Sequence, residues 1–306
     1  MLKKTKILAL SSCLALLCSY LGTAFGSVSE KPAARIVSLS PSTTEILFAL
    51  GAGEKVAGVT TYCENPAEAK LKPKVGGFTN HNLEAIAALQ PDFVVLTPNG
   101  GSRATYKRLK ELRVPVYSLP FYSFKDLFGA FETLGRLSGS SARADVLTRE
   151  LRQTADQIQK APAPAPASPL KAAYVTWRSP LILAGKGTME DEMVRLAGAV
   201  NAASSSRVRY PRWSEEAFWD HDPDVILDAS AFERETGDAQ KEKQEALAFW
   251  SKFSSLKAVR EGRVYLLSRE VLPVPGPRTV SQIRVIAEIF SGTPAEKAEG
   301  YERLVF

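Results

Sequence analysis

The chain has 306 residues, of which 45% are hydrophobic and 24% charged, and its formal net charge is +6. This balance is typical of a globular protein and excludes a disordered or fibrous one. Three lysines and no acidic residue lie in the first 26 residues, so the remaining chain has a net charge of only +3. So small a charge argues against a dedicated nucleic-acid-binding protein.

Residues 1–26 have the pattern of a secretory signal peptide. Lys3, Lys4 and Lys6 precede an apolar stretch over residues 7–21, and small residues follow it. The apolar stretch is shorter than the roughly 20 residues that span a bilayer. We therefore expect cleavage near Ser27 and release into the periplasm, in preference to an uncleaved anchor.

Cysteine usage adds two expectations. Cys13 follows a lipobox-like Leu-Ser-Ser, but it comes early in the apolar stretch, so lipid attachment is the less favoured alternative to cleavage. Cys13 and Cys18 both lie in the signal segment, which leaves Cys63 alone in the mature chain. An intramolecular disulfide is therefore excluded, and packing must supply the stability.

From residue 35 onward, apolar runs of strand length alternate with helical segments, which predicts an α/β fold with mainly parallel sheets flanked by helices. In the first half, Ser42 and Glu45 are predicted to form a capping box at the start of the first helix. Strands are predicted at residues 36–39, 55–59, 93–97 and 116–119. Helices are predicted at residues 43–50, 83–89 and 104–112.

The middle of the chain predicts one long connecting helix over residues 142–160, which an alternating Ala-Pro tract at residues 161–166 ends. The second half predicts strands at residues 171–177, 224–227 and 263–267. Its helices are predicted at residues 189–197, 246–253 and 279–290. The predicted organisation is an N-terminal lobe (27–140), a linker (141–169) and a C-terminal lobe (170–306), bridged by the single long helix.

The two halves contain a repeated unit. Residues 82–95 (NLEAIAALQPDFVV) and 214–227 (SEEAFWDHDPDVIL) align without a gap at an offset of 132 residues. Each unit reads as a helix, then Pro-Asp, then a strand, and duplication is the simplest explanation. Two such lobes facing each other would form a cleft, where small-molecule sites preferentially lie.

Motifs for catalysis are few. The two histidines, His81 and His221, have no second histidine or Cys-x-x-Cys at metal-ligand spacing, and no P-loop, GxSxG or GxGxxG motif occurs. The sequence therefore favours a binding protein with no cofactor or metal of its own. A secreted hydrolase is the alternative from a different class, and it would need one of these histidines beside a serine.

Aromatic residues at strand ends and in loops are the best candidates for a ligand site: Tyr62, Phe78, Trp177 and Trp213. Loops at the carboxyl ends of parallel strands usually face the ligand, and flat rings there suit a broad planar molecule. Arg278, just before the last predicted helix, would donate a fork of hydrogen bonds to the same ligand.

Glu84 and Glu216 occupy the same place in the two repeated units, in the first turn of a helix. The helix dipole alone favours a carboxylate at this place. One exposed carboxylate per lobe would also serve to dock the protein on a two-fold permease that presents arginines.

Five segments resemble the class III periplasmic binding proteins, which are receptors of ABC importers for cobalamin, haem and ferric siderophores. They are RIVSLSPSTTE (35–45), GVTTYC (58–63), KVGGF (74–78), NLEAI (82–86) and PD (91–92). Within that family the motifs are most similar to those of cobalamin receptors. The resemblance implies two α/β lobes bridged by one long helix, and it covers the chain from the start of the mature protein to about residue 290.

Site residues follow from the resemblance. Tyr62 matches a cleft tyrosine of the cobalamin receptors, Phe78 stands at the place of a tryptophan, and Arg278 matches an arginine before the final helix. Glu84 and Glu216 match the glutamates that dock on permease arginines.

Two further members of the matching motifs, Ser42 and Cys63, complete the predicted ligand-binding set. The chain departs from the family pattern at Pro98, where a cleft tryptophan is expected, and at Cys63, where the family has a serine.

The expected function is that of a monomeric periplasmic receptor that delivers cobalamin or a related corrinoid to an ABC permease. Haem or a ferric siderophore is the alternative ligand within the family, since a cleft rich in arginine would suit an anion. The available arginines are Arg178, Arg207, Arg209, Arg212 and Arg278. A receptor for bare metal ions is disfavoured because histidines are scarce.

Overall fold

Short buried strands built from valine, isoleucine, leucine and phenylalanine form two sheets in this computed structural model. It describes residues 32–98, 102–160, 169–230, 239–268, 274–291, 297–298 and 300–306. The predicted signal peptide and the Ala-Pro tract lie outside these residues.

The N-terminal sheet has four parallel strands within the described residues, in the order β2-β1-β3-β4. They are β1 (Ile36–Ser38), β2 (Val56–Val59), β3 (Phe93–Leu96) and β4 (Val116–Ser118). The helices are α1 (Pro41–Ala49), α2 (Ala67–Lys70), α3 (Leu83–Ala88) and α4 (Ser102–Glu111), with a 3-10 turn at Gly53–Lys55. β1 and β3 are buried along their whole length, as expected for a parallel sheet covered on both faces.

The C-terminal sheet is mixed, and its described strands follow the order β10-β11-β9-β8-β5-β6, with β7 also paired to β5. The strands are β5 (Lys171–Trp177), β6 (Ile182–Leu183), β7 (Val200–Asn201), β8 (Val225–Asp228), β9 (Val264–Leu267), β10 (Lys297–Ala298) and β11 (Tyr301–Leu304). The helices are α7 (Met189–Leu196), α8 (Glu215–His221), α9 (Ala239–Trp250), α10 (Lys257–Arg260) and α11 (Thr279–Phe290), with a 3-10 turn at Ser251–Phe253. Its centre, β5-β8-β9, is parallel like the N-terminal sheet.

Two consecutive helices, α5 (Phe124–Ser138) and α6 (Ser141–Lys160), connect the sheets. Gly139 ends α5 with a φ of 75°, a left-handed conformation that glycine adopts at little cost. The 20 residues of α6 span about 30 Å. α5 packs against α1, whereas α6 packs against α7 and α11, so the pair joins one half of the molecule to the other. The predicted fold class, including the long helix, is confirmed.

The predicted capping box at Ser42 and Glu45 is wrong. α1 begins two residues earlier, because the side chain of Ser40 accepts a hydrogen bond from the main-chain N–H of Thr43. Ser40 has the extended backbone that a residue before proline prefers, and Pro41 occupies the first helical position. Glu45 therefore does not cap the helix, and its carboxylate is available for a contact across the cleft.

Four strands of the C-terminal sheet were not predicted: β6, β7, β10 and β11. The first three have only two residues each, too few for a recognisable alternation of polar and apolar residues. The last two follow α11 and extend the sheet as an antiparallel hairpin on β9.

The repeated units fold alike. Asn82 and Ser214 cap α3 and α8 through their side chains. The carboxylates of Asp92 and Asp224 each accept a 2.8 Å hydrogen bond from a main-chain N–H at the start of the first strand of their own sheet. The aspartate of each Pro-Asp pair thus fixes the register between two adjacent parallel strands.

Candidate ligand-binding cleft

A cavity of about 850 Å³ is lined by residues from both halves of the chain, and this volume is large for a small-molecule site. The N-terminal half contributes Ser40, Pro41, Ser42, Glu45, Tyr62, Glu64, Asn65, Phe78, Thr79, Asn80, Thr97, Pro98, Phe121 and Tyr122. The C-terminal half contributes Met189, Glu190, Tyr210, Val274, Pro275 and Arg278.

The N-terminal wall lies at the carboxyl ends of its parallel strands. Pro41 and Pro98 follow β1 and β3, Tyr62 follows β2, and Phe121 follows β4. Carboxyl ends of parallel strands meet at one edge of a sheet, and ligands of α/β proteins bind there. The sheet topology therefore gathers in one place side chains that are far apart in sequence.

Two glycines bring the loop of Phe78 close to Tyr62. Gly76 has a φ of 105°, which disfavours any residue with a Cβ atom, and its carbonyl accepts a hydrogen bond from the N–H of Thr61. A Cβ atom on Gly77 would lie 3.6 Å from the Tyr62 ring and would clash with Asn80. The Gly-Gly turn thus lets two aromatic residues share one wall, and the Tyr62 side chain remains 54% exposed there.

The C-terminal wall contains a buried acid. Glu190 lies in the first turn of α7, which Thr188 caps, and its side chain is buried although it lines the cavity. The hydroxyl of Tyr210 lies 3.4 Å from both carboxyl oxygens of Glu190. Burial raises the pKa of Glu190, and burial together with the neighbouring Glu190 raises the pKa of Tyr210.

An ion pair joins the two walls. Arg278 donates from Nε to Oε2 of Glu45 at 2.9 Å and from Nη2 to Oε1 at 2.8 Å. Glu45 belongs to α1, and Arg278 directly precedes α11. This paired geometry is the strongest form of a guanidinium–carboxylate contact. The guanidinium predicted to meet the ligand is thus on the cavity wall, where it already binds a carboxylate.

The lining has no excess of positive charge. Among the described lining residues, three carboxyl groups (Glu45, Glu64 and Glu190) face one guanidinium, that of Arg278. Of the five arginines considered for an anionic ligand, Arg278 alone lines this cavity in the part of the chain that is described.

Two of the other arginines have clear partners. Arg178 is buried 3.3 Å from the carboxylate of Asp228. The guanidinium of Arg209 lies over the ring of the lining residue Tyr122, 4.1 Å from its centroid. Neither arginine is itself on the cavity lining, so the described part of the lining is not rich in arginine.

Four predicted site residues line the cavity: Ser42, Tyr62, Phe78 and Arg278. Cys63 does not, because its side chain is fully buried and its Sγ lies 3.2 Å from the hydroxyls of Thr44 and Thr60. Burial raises the pKa of this thiol. The expectation that Cys63 belongs to the ligand site is therefore corrected.

Trp177 and Trp213 are likewise corrected, since neither lines the cavity. The indole N–H of Trp177 bonds the carbonyl of Ser179 in the same turn. The Trp213 ring lies 4.2 Å from the ring of His221, between centroids, and packs against the core that contains Phe218. Trp213 thus packs against the core beneath its own loop, and Trp177 bonds within its own turn.

The cavity also contains residues that the sequence analysis missed, chiefly Tyr122, Glu190 and Tyr210. A signal for Tyr210 was present, because it lies 132 residues after Phe78, the offset of the repeated units. Extending the repeat four residues toward the N-terminus would have found it. Glu190 had no such signal, since an acidic residue in the first turn of a helix is common.

The histidines lie outside the cleft lining. Nδ1 of His81 is 2.9 Å from the hydroxyl of Thr105, and Nδ1 of His221 is 2.7 Å from the carbonyl of Ala217. Burial lowers the pKa of His81. Among the described residues, no group of three or more His, Cys, Asp or Glu side chains is arranged to hold a metal ion. No helix in this part of the chain has the length and apolar character required to cross a membrane.

Comparison with known proteins agrees with this architecture. A family model described as "Periplasmic binding protein" matches residues 36–271. The chain is 31% identical over 265 residues to the uncharacterized ABC transporter substrate-binding lipoprotein YvrC of Bacillus subtilis, covering 85% of this chain and 80% of that protein.

Two solved structures are similar over nearly their whole length. One is the periplasmic vitamin B12 binding protein BtuF of Vibrio cholerae, with 25% identity, a TM-score of 0.71, and coverage of 86% of this chain and 99% of that one. The other is the periplasmic heme-binding protein RhuT from Roseiflexus, with 25% identity, a TM-score of 0.72, and coverage of 85% and 98%. With matching fold, cleft and motifs, the chain belongs to the periplasmic binding protein family.

Proposed function

We propose that this protein binds cobalamin or a related corrinoid in the cleft and delivers it to an ABC permease, without catalysing a reaction. The observation that supports this ligand is the charge of the described lining residues, among which three carboxyl groups face a single arginine that Glu45 already neutralises. The periphery of cobalamin is rich in neutral carboxamides, which need hydrogen bonds and no counter-charge. Tyr62 and Phe78 supply the flat apolar surface for the corrin ring.

Haem is the second candidate, and Tyr62 is the observation that favours it. Its exposed phenol on the cleft wall is a type of side chain that binds haem iron. Haem, however, has two carboxylates, and the described lining offers them no unengaged arginine. Ferric siderophores of the anionic type meet the same difficulty.

Titration of the purified mature protein separates these ligands. We expect cobalamin and cobinamide to bind in isothermal titration calorimetry, and haemin and a panel of ferric siderophores to bind at least tenfold more weakly, because a carboxylate placed near unpaired acidic groups loses affinity. Haemin binding with a visible absorbance change that Tyr62→Phe abolishes, combined with no heat from cobalamin, would overturn the assignment in favour of haem.

We infer that Glu84 and Glu216 dock the protein on the permease. Both are exposed in the first turns of the short helices α3 and α8, at equivalent places in the repeat. The main-chain N–H of Glu216 and the hydroxyl of Ser214 lower the pKa of Glu216, which keeps it ionised.

The double variant Glu84→Ala/Glu216→Ala tests the docking role. We expect cobalamin uptake by cells to fall at least tenfold, while the affinity of the purified protein for its ligand is unchanged. The matched control is Glu68→Ala/Glu215→Ala, which removes one exposed glutamate from each half of the chain at other positions. Normal uptake in the first variant would show that docking uses another surface.

We further infer that the protein works as a monomer outside the cytoplasmic membrane after loss of residues 1–26. Intact-mass measurement of the exported protein should place the N-terminus near Ser27. A mass that includes a diacylglycerol on Cys13 would contradict cleavage near Ser27 and would show that the protein is anchored by a lipid.

A further inference from the structure

A cluster of two side chains on the C-terminal wall combines a buried acid with a phenol: Glu190 from α7 and Tyr210 from the loop before α8. Glu190 and Tyr210 line the cavity. Their 3.4 Å separation is long for a bond between a hydroxyl and a carboxyl oxygen, which is usually 2.5–3.0 Å. Both groups therefore retain hydrogen-bonding capacity toward a third group.

The hydroxyl of Tyr174 is fully buried and has no hydrogen-bond partner among the described residues. After burial itself, Glu190 and Tyr210 are the groups that most raise the pKa of this hydroxyl. Because it is buried, it cannot itself contact a ligand, and the subsite consists of the two side chains that line the cavity.

The hydrogen-bonding chemistry of the cluster limits what it can accept. The carboxyl group of Glu190 accepts hydrogen bonds, and the phenol of Tyr210 donates one. A primary carboxamide has two N–H donors and one carbonyl acceptor, so it can satisfy a carboxyl oxygen and a phenol at the same time. A carboxylate has no N–H, and it would bring a second negative charge to a buried acid.

We propose that Glu190 and Tyr210 form a subsite that binds one primary carboxamide of the ligand and rejects a carboxylate at the same place. The inference rests on the proposed function, since it assigns part of the corrinoid to part of the cleft. The other ionisable groups near the cluster are Asp191 on α7, Arg209 beside Tyr210, Tyr122 across the cleft and Asp228 near Tyr174. Burial raises the pKa of Glu190, which is consistent with a site that disfavours negative charge.

The monocarboxylic acid derivatives of cobalamin test this subsite, because each has one carboxamide replaced by a carboxylic acid. We expect the wild-type protein at pH 8 to bind at least one derivative roughly tenfold or more weakly than cobalamin. In Glu190→Gln the affinity for that derivative should be only about twofold lower than the affinity for cobalamin, because a neutral amide does not repel a carboxylate.

Tyr210→Phe is the second variant, and it keeps the ring while it removes the hydroxyl. We expect it to weaken cobalamin binding roughly fivefold. Tyr210 is 43% exposed, so this variant should fold even if Glu190→Gln does not. Tyr106→Phe, which removes an exposed phenol on α4 away from the cavity lining, is the matched control and should leave every affinity unchanged.

The outcomes are distinguishable. If the wild-type protein binds neither cobalamin nor any derivative, the proposed function fails and the subsite assignment fails with it. If cobalamin binds but all derivatives bind equally well, or if Glu190→Gln and Tyr210→Phe leave the ratios and affinities at wild-type values, the subsite assignment alone is overturned.

Discussion

The two walls of the cleft differ in chemistry. The N-terminal wall presents the flat rings of Tyr62 and Phe78 on loops that follow parallel strands, with Glu45 and Glu64 also on its lining, whereas the C-terminal wall presents a buried acid, Glu190, beside the hydroxyl of Tyr210. Stacking on a ring tolerates many planar ligands, while a buried polar group penalises a ligand that does not satisfy it. The comparison indicates that the first wall supplies contact area and the second supplies discrimination.

The same difference is visible within the repeat. Phe78 and Tyr210 stand at equivalent positions, 132 residues apart, and both line the cavity. The ring is common to both halves, and the hydroxyl occurs in the C-terminal half alone. Duplication thus accounts for an aromatic residue on each wall, and later substitution accounts for the polar character of one of them.

The largest expected effect comes from breaking the ion pair that joins the walls. Arg278→Leu leaves the carboxylate of Glu45, whose side chain is 7% exposed, without its guanidinium. We expect the free energy of unfolding to fall by about 3 kcal/mol, measured by urea denaturation. The double variant Glu45→Leu/Arg278→Leu should recover most of this loss; a double variant as unstable as the sum of the singles would show that the pair does not act as a unit.

Removing a ring tests the role of the N-terminal wall. Tyr62→Ala should weaken cobalamin binding roughly thirtyfold, because it deletes a stacking surface at the ligand. Its effect on the free energy of unfolding should stay within about 0.5 kcal/mol, since the side chain is largely exposed. Tyr106→Ala, on an exposed tyrosine outside the cavity lining, is the control for calorimetric titration, and equal affinities in the two variants would contradict the assignment.

The pH dependence of stability tests the C-terminal wall. Burial raises the pKa of Glu190 in the folded state, so the protonated form is favoured there. Its contribution to stability is fully present below the ordinary pKa of a glutamate and is lost as the pH rises through the raised value. The glutamine of Glu190→Gln cannot ionise. The urea midpoint of this variant, relative to that of the wild-type protein, should therefore increase as the pH rises from 4.5 to 8. A constant difference would show that Glu190 is ionised throughout this range.

The smallest expected effect on binding is at the tryptophan that the structure removed from the site. Trp213→Phe should change cobalamin affinity less than twofold, because the ring packs on His221 and Phe218 and not on the cavity. It should lower the free energy of unfolding by about 1 kcal/mol through lost packing. A tenfold loss of affinity would return Trp213 to the ligand site.

Local signals in the sequence determined the fold. Strand β5 and helix α11 begin and end where the residue pattern predicts, and the long helix differs by one residue at its start. The repeated Pro-Asp units were recognisable because each helix cap bonds an N–H three residues away and because the units recur at a fixed offset. The start of α1 was missed because Ser40 and Ser42 are equally good caps by residue type. The hydrogen bond from the N–H of Thr43 to the side chain of Ser40 is what selects Ser40.

The tertiary structure decided which side chains face the cleft. Tyr210 and Trp213 lie three residues apart in one loop. Tyr210 lines the cavity, whereas Trp213 packs against the core that contains Phe218. Glu45 and Arg278 form their ion pair across 233 positions of the chain. Side-chain direction in an irregular loop, and contacts between distant segments, depend on how the two sheets and their helices pack together, and no local pattern of residues encodes that packing.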